Sequence, residues 1–177
     1  EIDEHVRDCP KEIKSDPDQL VEYFNQVAET DLEKARSIYV WLADNISYNV
    51  KAINKNKFGD NSAEGVLKSK KAVCAGYANL FELLGKKMEL DILTVGGYSK
   101  NANDEKEWYF VDEEPGHAWN VIKINGAWKV FDATWGAGNG DIDKRGKLVF
   151  TKKYKEQWFN LSPYEAIFTH YPEDTSL

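Results

Sequence analysis

Apolar positions along the chain follow two regimes, a helical spacing up to residue 88 and a spacing of two from residue 90 onward. Leu20, Val21, Phe24 and Val27 recur at helical spacing, with Asp16 or Asp18 placed to cap them. The residues before them, broken by Pro10 and Pro17, read as an irregular lead-in. Thr30 and Glu33 form a capping box, in which each side chain takes an amide that the helix start leaves unpaired. Behind it Leu32, Ala35, Ile38, Tyr39, Leu42 and Ile46 make one stripe, predicting an amphipathic helix that ends near Asn45. Residues 51–61, with Gly59, read as a polar loop, and Ser62 caps a short helix through Val66 and Leu67. A third strong helix starts at or just before Cys74, carried by Tyr77, Leu80, Phe81, Leu84 and Met88.

Beyond Leu90 the pattern is that of strands. Ile92, Leu93, Val95 and Tyr98 predict one, followed by a polar loop from Ser99 to Lys106 and a short strand from Trp108 to Val111. His117 to Ile124 and Ala127 to Thr134 flank Asn125-Gly126, the pair that best accepts the left-handed backbone of a two-residue hairpin turn. Gly136 to Gly146 is turn-rich, Leu148 to Phe150 strand-like and Pro163 to Phe168 helix-like. Helices first and an antiparallel sheet after them define an α+β class, not βαβ alternation.

Composition narrows the function. The 177 residues suit one domain, alone or with a small appendage, and an aromatic share of 13%, with six Trp, supplies a core without disulfides or structural metal. A net charge of -7 with the two signs interspersed argues against a nucleic-acid partner, since no basic stripe runs along the chain. Lys68, Lys70 and Lys71 read as a solvated turn. The two cysteines, Cys9 and Cys74, are too few for a disulfide scaffold and lack zinc spacing, although a bridge between them stays open. No apolar run approaches the ~20 residues a membrane span needs. The first residue is Glu1, which is consistent with a processed or truncated product.

The chemistry centres on Cys74. The reactive form of a cysteine is the thiolate, favoured by a helix N-terminus and by an adjacent imidazolium. Cys74 falls where the basic turn gives way to a helix, between small neighbours that leave room for a carbonyl. His117 opens one arm of the hairpin, and closing it on Asn125-Gly126 sets residue 117 opposite about residue 134, with Asp132 a step or two away. Nucleophile, base and orienter are then available as Cys74, His117 and Asp132. Singly, each has a plainer role, a buried thiol or a structural strand residue; the joint arrangement is what points to catalysis.

Four segments, Ala35–Trp41 with Asn45–Tyr48, Val73–Ala78, Gly116–Asn120 and Trp128–Trp135, resemble the transglutaminase-like superfamily of papain-like cysteine enzymes. The resemblance covers residues 30–136. Trp158-Phe159, Ser162-Pro163 and Phe168 to Asp174 extend it toward the kyphoscoliosis-peptidase and cytokinesis-regulator branch, a version that bacterial secreted or envelope proteins also carry. Asn49 stands where that branch often has Asp, and Ala72 where it often has Gly.

The resemblance implies a nucleophile helix packed on an antiparallel sheet. It also implies a Cys74–His117–Asp132 triad working through a thioester on a peptide or protein substrate, as a cysteine protease or acyltransferase, with no cofactor and no metal. It divides the chain into a lead-in over 1–29, a catalytic core over 30–136 and an extension over 137–177, with further domains beyond residue 177 and a secreted or envelope location. A catalytically silent binding module on the same fold is the alternative.

Tyr48 is a candidate oxyanion donor and equally a packing residue. Trp135 and Trp119, with Trp128, are candidate cleft walls or core. His170 reads as an anchor of the tail more than as a site residue, and Asp141-Ile142-Asp143 as a turn, because the closing Glu of a calcium loop is missing.

Overall fold

The computed structural model describes residues 1–100 and 115–175. Among them the helices are α1 (Ile2–Arg7), α2 (Pro17–Phe24), α3 (Asp31–Asn45), α4 (Val50–Lys55), α5 (Ala63–Ser69), α6 (Cys74–Lys87), α7 (Ala133–Ala137) and α8 (Pro163–Ala166). The strands are β1 (Ser47–Tyr48), β2 (Lys71–Ala72), β3 (Ile92–Ser99), β4 (His117–Ile124), β5 (Ala127–Phe131), β6 (Gly138–Ile142), β7 (Leu148–Lys152) and β8 (His170–Pro172). β5, β4, β3 and β8 form one antiparallel sheet in that order; β1 pairs with β2 in parallel and β6 with β7 antiparallel.

Side-chain alternation divides the sheet into two faces. Ile92, Ile122, Ile124 and Phe131 join the large core formed with α3 and α6, around fully buried Trp41, Tyr39, Tyr77 and Phe81. Val95, Trp119 and Val130 face the other way and pack on Ala166 of α8. The turn residues Asn125 and Gly126 have φ of 50° and 81°, the left-handed pair that closes the hairpin. The Thr30–Glu33 capping box and the Ser62 cap are formed, and α6 starts at Cys74.

Four expectations are corrected. The lead-in contains α1, which buries only Val6 and so shows no periodicity; Arg36 holds it with hydrogen bonds of 2.8 and 2.7 Å to Asp3, and Arg7 reaches Asp44 at 2.9 Å. The loop over 51–61 begins with α4, capped by Asn49 and closed by Asn56 in the left-handed region. The second hairpin arm ends at Phe131, because the Asp132 side chain caps α7 and turns the chain into a helix. The turn-rich stretch from Gly136 opens on the end of α7 and then holds β6, paired along its length with β7. The expected strand from Trp108 to Val111 lies outside the described residues.

Candidate active site

Several contacts fix the start of α6. Tyr48 pairs with Ala72 in the β1–β2 ladder, two residues before Cys74. A Cβ on Gly76 would stand 2.8 Å from the Ala72 Cβ and from Val66 Cγ2, so only glycine lets the first turn press on α5. The Tyr77 hydroxyl donates to the Ile46 carbonyl at 2.7 Å, and Asn120 of β4 donates to the Ala78 carbonyl at 3.1 Å and to Thr94 Oγ1 at 3.2 Å. These bonds hold the helix that begins with Cys74 in register with the strand that begins with His117. No side chain caps this helix start, and its dipole favours negative charge there.

His117 is buried, with Nε2 2.6 Å from Asp132 Oδ2, and Cys74 lies close enough to act on the charge of the same ring. Burial pushes this ring toward its neutral form. The Asp132 carboxylate, by charge and hydrogen bond, and then the Cys74 sulfur reverse that and raise its pKa to about 10. Asp132 has no exposed surface; burial favours its neutral form, but His117 and then His170 hold the carboxyl well below the usual carboxylate range.

Asp132 divides its two oxygens. Oδ1 accepts the Trp135 amide at 2.9 Å, and Oδ2 accepts from His117 and from His170 Nε2, the latter at 2.9 Å. His170 is therefore a neighbour of the site, a reading that sequence reasoning ranked below a tail anchor. The available signal was the Thr-His-Tyr-Pro tail after the core, but nothing local says that it returns to the sheet as an edge strand. The ligand atoms of His117, Asp132 and His170 lie within 4.8 Å of one another, close enough to raise a metal reading. Ligands of a tetrahedral zinc with bonds of ~2.0–2.1 Å stand roughly 3.3 Å apart. The 2.6 and 2.9 Å separations here are those of hydrogen bonds.

Beside His117 opens a cavity of about 230 Å³ lined by Tyr48, Trp135, Trp158, Phe150 and Lys155, among others. Trp135 stacks on His117 with ring centres 5.2 Å apart. The Tyr48 phenol is pushed up to about 12 by burial, then by Cys74 and Asp132, so it is protonated and a donor at neutral pH. Trp119 does not line this cavity. It lies on the α8 face with Trp128, beside a smaller cavity of about 130 Å³, and packs its ring edge-on to His170 at 5.0 Å. The carboxylate of Asp143, next to the Asp141-Ile142 pair, accepts the amides of Arg145 and Lys147, as a turn residue does.

Residues 18–133 match the sequence model of the transglutaminase-like superfamily. Kyphoscoliosis peptidase of Homo sapiens is 34% identical over 161 residues, covering 91% of this chain and 24% of that protein. Hillarin of Drosophila melanogaster is 30% identical over 154 residues, covering 81% and 18%. The chain thus spans about a quarter or less of the length of these relatives. Among solved structures, a TGase superposes with a TM-score of 0.55 at 19% identity, covering 86% of this chain and 39% of the other. An arylamine N-acetyltransferase from Bacillus cereus gives 0.51 at 14%, covering 81% and 66%. A helix-borne cysteine against an antiparallel sheet, with the matched sequence around it, leads to one assignment: the chain belongs to the transglutaminase-like superfamily.

Proposed function

We propose that this protein is a thiol acyl-transfer enzyme acting on peptide or protein amides, with Cys74 as nucleophile, His117 as acid–base and Asp132 as its orienter. The observation that carries the reading is a buried imidazole 2.6 Å from the Asp132 carboxylate, with Cys74 at the start of α6 within electrostatic reach of the same ring. The Cys74 thiolate attacks the amide carbonyl, forming a C–S bond while the π pair moves to oxygen. Collapse breaks the C–N bond as His117 passes its proton to the departing amine. Water or a second amine then attacks the thioester and gives its proton to His117, and the sulfur leaves as thiolate. Tyr48 and the Cys74 backbone amide are the candidate donors to the oxyanion, and Trp135 forms the wall along which the acyl group lies. The peptidase name of the human relative and the acyl-transfer names of the structural neighbours support this reaction class.

The test is an activated ester offered to the native protein, followed by a panel of peptide and amine acceptors. The expected result is a burst of one equivalent, an acyl adduct on Cys74 and no adduct in Cys74→Ala. No adduct on Cys74, together with full biological activity of Cys74→Ala, would overturn the reading in favour of a silent binding module.

A further inference from the structure

His170 lies outside the segment that matches the superfamily, yet its imidazole ends on the same oxygen as that of His117. The chain arranges this deliberately at the sheet edge. Ser99 pairs with His170 and Gly97 with Pro172 where β8 joins β3. A Cβ on Gly97 would stand 2.2 Å from the Tyr171 carbonyl, so glycine is what allows β8 to close in. His170 is 2% exposed, its Nδ1 is 2.8 Å from Thr169 Oγ1, and Trp119 and Trp135 pack on its ring at 5.0 and 4.8 Å. A ring fixed from behind and on its flanks has one place to direct Nε2–H, and that is Asp132 Oδ2.

An oxygen that accepts two N–H donors is a weaker partner to each than one that accepts a single donor. A catalytic acid works best when its pKa lies near the working pH, and a buried imidazole paired with an unshared carboxylate keeps its proton too firmly. We propose that His170 is a positioning residue that shares Asp132 Oδ2 with His117 and thereby tempers the grip of that carboxylate on the His117 proton. The proposal rests on the acid–base role given to His117 above, but it has a readout that needs no turnover. The other groups facing the cluster are Cys74 and Tyr77 on α6, Tyr48 on β1 and Tyr39 on α3, with Lys155 on the cavity wall. Burial pushes all three phenols up, so they stay neutral across the range in which the imidazoles are followed.

The experiment follows the His117 ring nitrogens by NMR from pH 5 to pH 11, roughly the span that brackets a raised histidine, in the native chain and in His170→Phe. The expected result is that His117 loses its proton at a higher pH in His170→Phe, by about half a unit to one unit. His170→Gln, which can present an N–H at the place of Nε2, returns it toward the native value. In the activated-ester assay the kcat of His170→Phe falls about 10-fold, while alkylation of Cys74, which needs only the thiolate, is maintained. His170→Asn, too short to reach Asp132, serves if the Phe variant loses its near-ultraviolet circular dichroism. An unchanged or lowered His117 titration in both variants, or equal losses of alkylation and kcat, would overturn the proposal. So would stoichiometric zinc in the purified native protein that the variants lack, since the three residues would then be a metal centre. If the native chain forms no acyl adduct while the titration shifts as stated, the function proposed above fails and the role of His170 in holding Asp132 stands.

Discussion

Cys9 and Cys74 carry the same thiol into opposite surroundings. Cys9 is 4% exposed beside Trp41, and burial raises its pKa against the smaller help of the indole N–H. Its thiol donates to the Pro10 carbonyl at 3.7 Å. Cys74 is half-buried at the uncapped start of a 14-residue helix, near an imidazole whose pKa the Asp132 carboxylate raises. Burial in apolar surroundings leaves a thiol inert, whereas a helix start and a neighbouring imidazole favour the thiolate. The difference lies in what the fold brings to the sulfur, not in the residue.

The most severe test of that contrast is removal of each thiol. Cys74→Ala should lower turnover about 10⁴-fold or more, whereas Cys9→Ala should keep turnover and cost on the order of 1 kcal/mol in a denaturant melt. Next, Asp132→Asn should lower kcat about 10³- to 10⁴-fold. Because Asn is as good a cap as Asp, α7 should survive while the stability that depends on the carboxylate is lost, so a melt whose alkaline decline is flattened, with helix content kept, separates the two duties of this residue. Labelling sharpens the contrast further: a small alkylator should modify Cys74 about 10²-fold faster than Cys9 in the native protein, and His117→Ala should narrow the gap. Equal rates at the two sites would dissolve the comparison altogether. Gly76→Ala should destabilise by about 1–3 kcal/mol and slow labelling at Cys74 without altering Cys9.

The gentlest test is pH. The His117 pKa is raised from 6.5 to about 10, so its contribution to stability is complete below about 6.5 and is lost as pH rises through about 10. Asp132 is shifted the other way, and its contribution is present above its ordinary value of 3.8 and lost as pH falls below it. Thermal melts should therefore show an alkaline decline that is flattened in His117→Phe.

Local signals carried most of the fold. Thr30 with Glu33, the stripe from Leu32 to Ile46, and Asn125-Gly126 each specify geometry within a few residues, and all three are formed. The hairpin register that places Phe131 opposite Asn120 follows from a two-residue turn, and it brings Asp132 alongside His117. What stayed hidden depended on distant partners. α1 is held by Arg36 and Arg7 rather than by an apolar face, and β8 is three residues long and owes its place to the edge of β3. His170 could not be assigned because its meaning comes from residue 132, thirty-eight positions away. Asp132 was expected inside a strand; a short polar residue ahead of Ala133 is equally a cap, and the cap prevailed.

The carboxylate of Asp132 has a further consequence as a rotor. The last torsion of an aspartate is broad and nearly two-fold, so a lone carboxylate swings and its oxygens exchange freely. Here one oxygen is tied to the backbone of α7 and the other to two rings. The half-turn that would exchange them breaks every one of these bonds at once. The ordering entropy of this side chain is thus spent during folding, and none remains to be lost when a substrate arrives.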